Sequence, residues 1–332
     1  MKLGEIFRDG VIFQKGKPIR VFGESEGETS ITFAGNERKV PGGKFVAEFP
    51  EMDYSGPYEL VARDEKETVT VSDIYIGEIL LCSGQSNMQF RMGEGAVEVE
   101  PREADDMLRI FVSERIEKAE PLTPADGWTK ARPENIDKWS AIGYQAGREL
   151  RKNGVPAVGI VACSQGASVI QSWIDEKVFV GSDVDIHAEE FNYDFRHPLY
   201  SAWNANGRLY HYMFERLVPF SFGGVVWYQG ESNSSVPEGK IYDRMLDMMI
   251  RNWRDALNDK KLFFIVIQIA GYESKGEGWK EIQDAELRVE KLTPYVKTVI
   301  SADVCENEMI HPVTKWKLAK RVADCYFTEV MK

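Results

Sequence analysis

The feature that most constrains the fold is a series of short, near-continuous apolar runs from residue 73 onward, at 74–82, 108–112, 157–163, 224–228, 262–269 and 296–302. Each is far below the roughly 20 apolar residues that span a bilayer. A strand with one wet face alternates polar and apolar residues, whereas these runs do not, so both faces of each strand should be buried. Segments with helical periodicity fall between them, at 141–152, 242–257, 280–292 and 313–330. Strand–helix alternation of this kind reads as an α/β fold with a mostly parallel sheet covered on both faces.

Residues 1–72 have a different texture. Short alternating runs at 19–22, 30–33, 44–49, 58–62 and 68–71 are rich in Val, Ile, Thr and aromatics, with Gly, Pro, Asn and Asp between them. That pattern predicts a small all-β sandwich or barrel. The 332 residues therefore divide into a β domain over 1–72 and an α/β domain over 73–332. The stretch 245–253 carries Met and aromatic residues at helical spacing and reads as core. The stretch 177–198, with Asp183, Asp185, His187, Glu189, Glu190 and His197, is polar and aperiodic and reads as a long surface loop or lid.

Charge narrows the partners. The chain has 41 basic and 53 acidic residues, a net charge of −12, and no dense Lys/Arg stripe. That argues against nucleic acid, whose backbone is itself polyanionic. No run predicts a membrane span. The N-terminus carries Glu5, Arg8 and Asp9 where a secretory leader needs apolar residues, so the expected location is cytoplasmic. Cys82, Cys163, Cys305 and Cys325 have no metal or disulfide spacing. Metal-binding His pairs and Asp-rich calcium loops are missing from the sequence, as are phosphate-cradling glycine loops, so neither a metal nor a cofactor is expected.

In open parallel sheets ligands bind beyond the carboxyl ends of the strands, and four of those ends carry unusual polar text. Gly84-Gln85-Ser86-Asn87-Met88 follows the first run; there Ser86 is either a nucleophile raised on a tight turn or simply a turn residue. Ser164-Gln165-Gly166-Ala167-Ser168 follows the third run. Its Ala162-x-Ser164-x-Gly166 pattern approaches a nucleophile elbow, which makes Ser164 a second candidate. Gly166 could instead bring a backbone N–H close to an oxyanion. Gln229-Gly230-Glu231-Ser232-Asn233 follows the fourth run; Gln229 can donate through its amide and Glu231 can orient a histidine, or be a solvated loop acid. After the last run, His311 lies in a loop with Asp303 and Glu308, before Pro312, which could open a helix. Trp173, Trp227 and Tyr228, near strand ends, could stack on a sugar or fill the core.

Together these blocks resemble the sialate O-acetylesterase family, carbohydrate esterases of the SGNH hydrolase superfamily. The first block, with Val71-Ser-Asp-Ile-Tyr-Ile-Gly77 leading into it, resembles that family's nucleophile block. Trp227-Tyr-Gln-Gly-Glu-Ser-Asn233 is similar to its middle block, and Asp303 through His311-Pro312 to its last. Residues 154–166 are similar to the block that supplies the oxyanion glycine, and the N-terminal text to the family's β-sandwich start. This chain has Gln165-Gly166-Ala167 where the family has Trp-Gly-Gly. The resemblance implies an SGNH-like three-layer αβα domain preceded by a small β-sandwich. It implies Ser86 as nucleophile, His311 as general base, and Ser86, Gly166 and Gln229 as the oxyanion hole. The triad acid is Glu231, Glu308 or Asp303, in that order.

The implied function is a serine esterase removing O-acetyl groups from a carbohydrate, either sialic acid or another acetylated sugar such as xylan. Arg91 or Arg196 could hold an anionic one. Alternatives are an α/β-hydrolase-type esterase using Ser164, a non-catalytic acetyl-sugar-binding protein, and an acyltransferase on the same site. Oligomeric state is not legible in the sequence.

Overall fold

The computed structural model describes residues 1–95, 102–113, 127–182, 184, 203–272 and 276–331. Its fold is mixed α/β, organised on one large mixed sheet. The first strands are short: Lys2–Leu3 (β1), Ile12–Gln14 (β2), Ile19–Ser25 (β3), Thr29–Phe33 (β4), Asn36–Val40 (β5), Gly43–Phe49 (β6) and Ser55–Arg63 (β7). β1, β3 and β6 form an antiparallel three-stranded sheet, while β4 pairs with β5 and β7. Alternating apolar residues from both sets meet in a ring cluster. Phe13 and Phe33 lie 5.3 Å apart, and Phe33 and Phe49 lie 5.9 Å apart, centroid to centroid.

The strand Thr68–Gly84 (β8) joins this region to the rest. Its first half alternates in burial and pairs with β7, and from Gly77 onward it is buried throughout. The two textures seen in sequence at 68–71 and 74–82 thus belong to one strand, and the expected division between residues 72 and 73 falls within it. The backbone kinks there, with Asp73 at φ +57°. The buried Arg109 fastens the kink, donating to the carbonyls of Gly10 (2.8 Å) and Asp73 (2.7 Å).

Beyond β8 come Asp105–Val112 (β9), Thr129–Ala131 (β10), Val158–Ser164 (β11), Gly224–Tyr228 (β12), Phe263–Ile267 (β13) and Val296–Val299 (β14). Their order is β10-β9-β11-β8-β12-β13-β14. Every neighbouring pair is parallel except β10–β9. β11, β12 and β13 are buried at every position, as their unbroken apolar sequences require.

A short turn of helix, Ser86–Gln89 (α1), follows β8. The longer helices that matter for the site are Ala141–Lys152 (α2), Tyr242–Ala256 (α3), Glu277–Leu292 (α4) and Trp316–Glu329 (α5). α2 packs on β8, β9 and β11 and against α5; α4 packs on β14 and against α3. α5 starts later than the expected 313, so Pro312 does not open it. The chain stays irregular there because Glu306 takes both the backbone N–H and the hydroxyl of Thr314. Met245, Leu246, Met249, Ile250 and Trp253 line the buried stripe of α3 as core. Trp173 and Trp227 are also core, 5.9 Å apart and each packed on Trp253, and Tyr228 is fully buried, so none is placed to stack on a sugar. Of the polar stretch 177–198, residues 177–179 belong to a short helix, Glu176–Phe179, instead of a loop, while Asp183, Asp185, His187, Glu189, Glu190, Arg196 and His197 lie outside the described residues.

Candidate active site

The site is built where β8, β11 and β12 end together. Gly84 pairs with Ser164 on one side and Tyr228 on the other. Its φ is +136°, and a Cβ there would stand 2.1 Å from the Tyr228 carbonyl oxygen, so only glycine fits. The Gln85 N–H then donates to the Tyr228 carbonyl (3.0 Å) and the Gln165 N–H to the Gly84 carbonyl (3.0 Å). Three strand tips are thereby tied together, and the chain turns into α1 with Ser86 as its first residue. As the first residue of that turn, Ser86 has an N–H with no intrahelical acceptor.

His311 arrives from the loop between β14 and α5. Its Nε2 lies 2.8 Å from Ser86 Oγ. Both residues are half-buried. Burial first, and then the nearby Lys315 ammonium, push the His311 imidazole below the usual histidine range, opposed by the Glu94 carboxylate. A histidine so biased is neutral near pH 7 and can accept the serine proton.

Asn87 links the two halves. Its side-chain Nδ2 donates to the carbonyl of Ile310 (2.9 Å), next to His311, and to Glu231 Oε1. Its Oδ1 accepts from Lys315 Nζ at 2.6 Å. Lys315 is buried and lies over the rings of Phe90 (4.8 Å) and Tyr228 (5.4 Å). Burial brings its ammonium down to about 8, while Cys305, Glu231 and Glu306 oppose the shift.

The carboxylates expected near His311 are placed differently from one another. Glu231 is buried, its oxygen held by Asn87 and not by His311, and burial raises it above the usual carboxylate range. Asp303 is exposed and forms a two-pronged ion pair with Arg321, at 2.6 and 2.7 Å, which keeps its carboxyl low. Glu308 is exposed. Among the described residues, no carboxylate hydrogen-bonds to His311.

The expected oxyanion donors also differ. Gly166 lies over Ser86, where a Cβ would be 3.8 Å from Ser86 Cβ, but its N–H donates to Gln89 Oε1 at 2.7 Å. Gln229 departs from expectation. It is fully buried, and its amide faces the Ser168 carbonyl (2.9 Å), Asn233 Oδ1 (2.8 Å) and Gln85 Oε1 (3.1 Å). Three acceptors compete for two N–H groups, so no proton is left for a substrate. Tyr242 in turn donates to the Gln229 Oε1. Gln229 therefore braces the Gln85 and Asn233 loops from beneath. Ser164 is the buried last residue of β11 and has no imidazole partner among the described residues.

Sequence reasoning missed the roles of Asn87, Gln89, Glu94 and Lys315. Asn87 lies within the block Gly84–Met88 and Gln89 directly follows it, so a polar side chain beside the turn serine is their local signal. Lys315 and Glu94 carry no local signal, since only packing brings them to the site.

The model of a carbohydrate esterase family, the sialic acid-specific acetylesterases, matches residues 76–328. The sialate O-acetylesterase of Mus musculus is 24% identical over 353 residues, covering 90% of this chain and 65% of that protein. The Homo sapiens sialate O-acetylesterase is 26% identical over 310 residues, covering 82% of this chain and 57% of that protein. The chain thus spans less than two thirds of the length of these curated relatives. Among solved structures, a carbohydrate acetylesterase from Xanthomonas citri superposes with a TM-score of 0.82 at 26% identity, covering 99% of this chain and 75% of that one. A protein from Arabidopsis thaliana shares the fold at a TM-score of 0.54 and 19% identity, covering 76% of this chain and 99% of that one. With the match running through all four strand-end blocks, the chain belongs to the sialic acid-specific acetylesterase family of carbohydrate esterases.

Proposed function

We propose that the chain is a serine esterase that removes O-acetyl groups from carbohydrates through an acyl-enzyme on Ser86. The observation that carries this reading is the 2.8 Å approach of Ser86 Oγ and His311 Nε2 at the carboxyl edge of the sheet. Ser86 Oγ attacks the ester carbonyl while His311 takes its proton. The oxyanion is received by the Ser86 N–H and by the Gly166 N–H, which releases Gln89 as the charge develops, because a charged acceptor outcompetes a neutral amide oxygen. His311 returns the proton to the sugar oxygen as it leaves. Water, deprotonated by the same imidazole, then attacks the acyl-serine and frees acetate.

Of the three acids, Asp303 is already committed to Arg321, which favours Glu231 and Glu308. Glu231 would act on the pair through Asn87. The sheet order and the placement of Ser86 and His311 support an SGNH-type three-layer domain over 73–332, with residues 1–72 as a small β-sandwich ahead of it. The relatives' names point to acetylated sialic acid as substrate. Arg91, half-buried and close in sequence to Ser86, has no ion-pair partner among the described residues and suits the sugar carboxylate.

The test is acetate release from acetylated sialic acid, acetylated xylo-oligosaccharide and acetylated hexosamine, with p-nitrophenyl acetate as a generic ester. Turnover of one sugar, abolished in Ser86→Ala, is the expected result. Binding without acetate release would overturn it in favour of a sugar-binding protein. Acetate reappearing on an added sugar acceptor would make the protein an acyltransferase.

A further inference from the structure

We propose that Lys315 is a positioning residue for the Ser86–His311 pair, its ammonium holding Asn87 so that the nucleophile turn and the histidine loop stay in register. The inference rests on the esterase reading above for its kinetic consequences, and on geometry alone for the contact itself.

The geometry closes on Asn87 from three sides. Lys315 Nζ donates to its Oδ1 at 2.6 Å, and its Nδ2 donates to the Ile310 carbonyl at 2.9 Å and to Glu231. Asn87 follows Ser86 in the chain, and Ile310 precedes His311. The two reacting side chains are therefore joined through one amide, and that amide is oriented by one ammonium. A neutral amide with its oxygen on a cation and its nitrogen on a carbonyl and a carboxylate has a single orientation. The flipped amide would set its NH2 against the ammonium. With no carboxylate on His311 among the described residues, this bridge is what registers the imidazole against Ser86.

A buried lysine is costly unless its charge is used. Lys315 has one hydrogen-bond acceptor and two ring faces, Phe90 and Tyr228, around it. Glu231, Glu306 and Cys305 also face it and favour its charged form. The charged groups that bear on His311 are Lys315, which disfavours the imidazolium, and Glu94, which favours it. Lys315 thus acts on the site twice, by fixing Asn87 and by keeping His311 a free base at lower pH.

The test pairs two readouts on Lys315→Met, which keeps the buried volume and removes the charge. The first is NMR titration of the His311 ring in the free protein, which needs no substrate. The midpoint should move to higher pH. The second is turnover of p-nitrophenyl acetate. kcat should fall about 10²-fold, the usual loss when a reacting group is misplaced by about 1 Å, with KM nearly unchanged and the acid limb moved to higher pH. Lys315→Arg, if it folds, should recover the NMR midpoint more than kcat, since it restores charge but not the length of the reach to Asn87. An unmoved His311 midpoint together with unchanged kcat would overturn the proposal. A moved midpoint in a protein that hydrolyses no ester in its wild-type form would instead overturn the esterase reading and leave the role of Lys315 standing. Should Lys315→Met fail to fold, Asn87→Asp tests the same bridge. It keeps the acceptor for Lys315 but loses the donor to Ile310, and a kcat equal to wild type would then reject the proposal.

Discussion

Ser86 and His311 lie 225 positions apart in the chain, yet Oγ and Nε2 stand 2.8 Å apart. Nothing local enforces this meeting. It follows from β8 ending at the sheet centre and the β14–α5 loop folding back over that end. If the pair is the reaction centre, Ser86→Ala and His311→Ala should each lower kcat on p-nitrophenyl acetate by about 10⁴–10⁶-fold, as single removals from such a unit do. Near-UV circular dichroism should remain that of the wild type. Ser164→Ala should stay within about twofold, a surface-like effect despite burial, because its hydroxyl serves no imidazole. A large loss in Ser164→Ala with activity retained in Ser86→Ala would transfer the nucleophile to β11.

The acids around His311 make a second prediction, with a sign. Glu94 favours the imidazolium, so it holds the histidine higher than burial and Lys315 alone would. Glu94→Gln removes that support, and the acid limb of kcat/KM should move to lower pH, opposite to the shift expected for Lys315→Met. Asp303→Asn should leave the limb where it is and kcat within about twofold, because its partner is Arg321 and the exposed pair is screened by solvent. A pH–rate profile for the three variants checks this. A limb that moved in Asp303→Asn would restore that residue as the triad acid.

How much of this was legible in the sequence depended on whether the information was local. The apolar runs and the turns after them placed Ser86, Gly166, Glu231 and His311 at strand ends, because strand burial and turn chemistry are written in adjacent residues. The fate of Gln229 was not. Its amide is consumed by Ser168, Asn233 and Gln85, and its oxygen by Tyr242, acceptors and donors that reach it from separate segments. No spacing rule encodes such a meeting. β8 misled in another way. The change from alternating to continuous burial at its midpoint reads as two elements, because a sequence shows the environment of a strand and not the continuity of its backbone. Lys315 was silent for a similar reason, being one lysine near the start of the helical segment 313–330 until packing buries it.

Gly84 gives a prediction about the scaffold. A Cβ at this position would stand 2.1 Å from the Tyr228 oxygen and 2.6 Å from its carbonyl carbon, and φ +136° is itself unfavourable for any side chain. These are backbone atoms of Tyr228, which cannot yield without parting β8 from β12. Gly84→Ala should therefore cost at least about 1–3 kcal/mol from the backbone conformation alone, with the clash adding to it. Chemical denaturation should show a lower midpoint, and activity should fall with it because Ser86 is two residues away. A variant with wild-type stability would show that the tips of β8 and β12 part readily.

The buried carboxylates beneath the site make the last prediction. Glu286 is fully buried, its Oε2 accepts the Ile269 N–H at 2.9 Å, and its Oε1 has no partner among the described residues. Burial foremost, and Glu231 beside it, push this carboxyl well above the usual range. The sign follows from proton counting. In the unfolded chain Glu286 ionises near pH 4–5, while in the folded protein it keeps its proton to higher pH. Between those two values the folded state binds more protons, so stability falls as pH rises. Glu286→Gln supplies a permanently neutral isostere that can still accept from Ile269. It should raise the denaturation midpoint relative to wild type at pH 8, and that gain should shrink toward zero as pH is lowered to about 4, near the unfolded value. Urea denaturation of both proteins at pH 4, 6 and 8 reads the difference directly. A gain that grew on acidification would mean that Glu286 is ionised in the fold and that an unrecognised cation stands beside it.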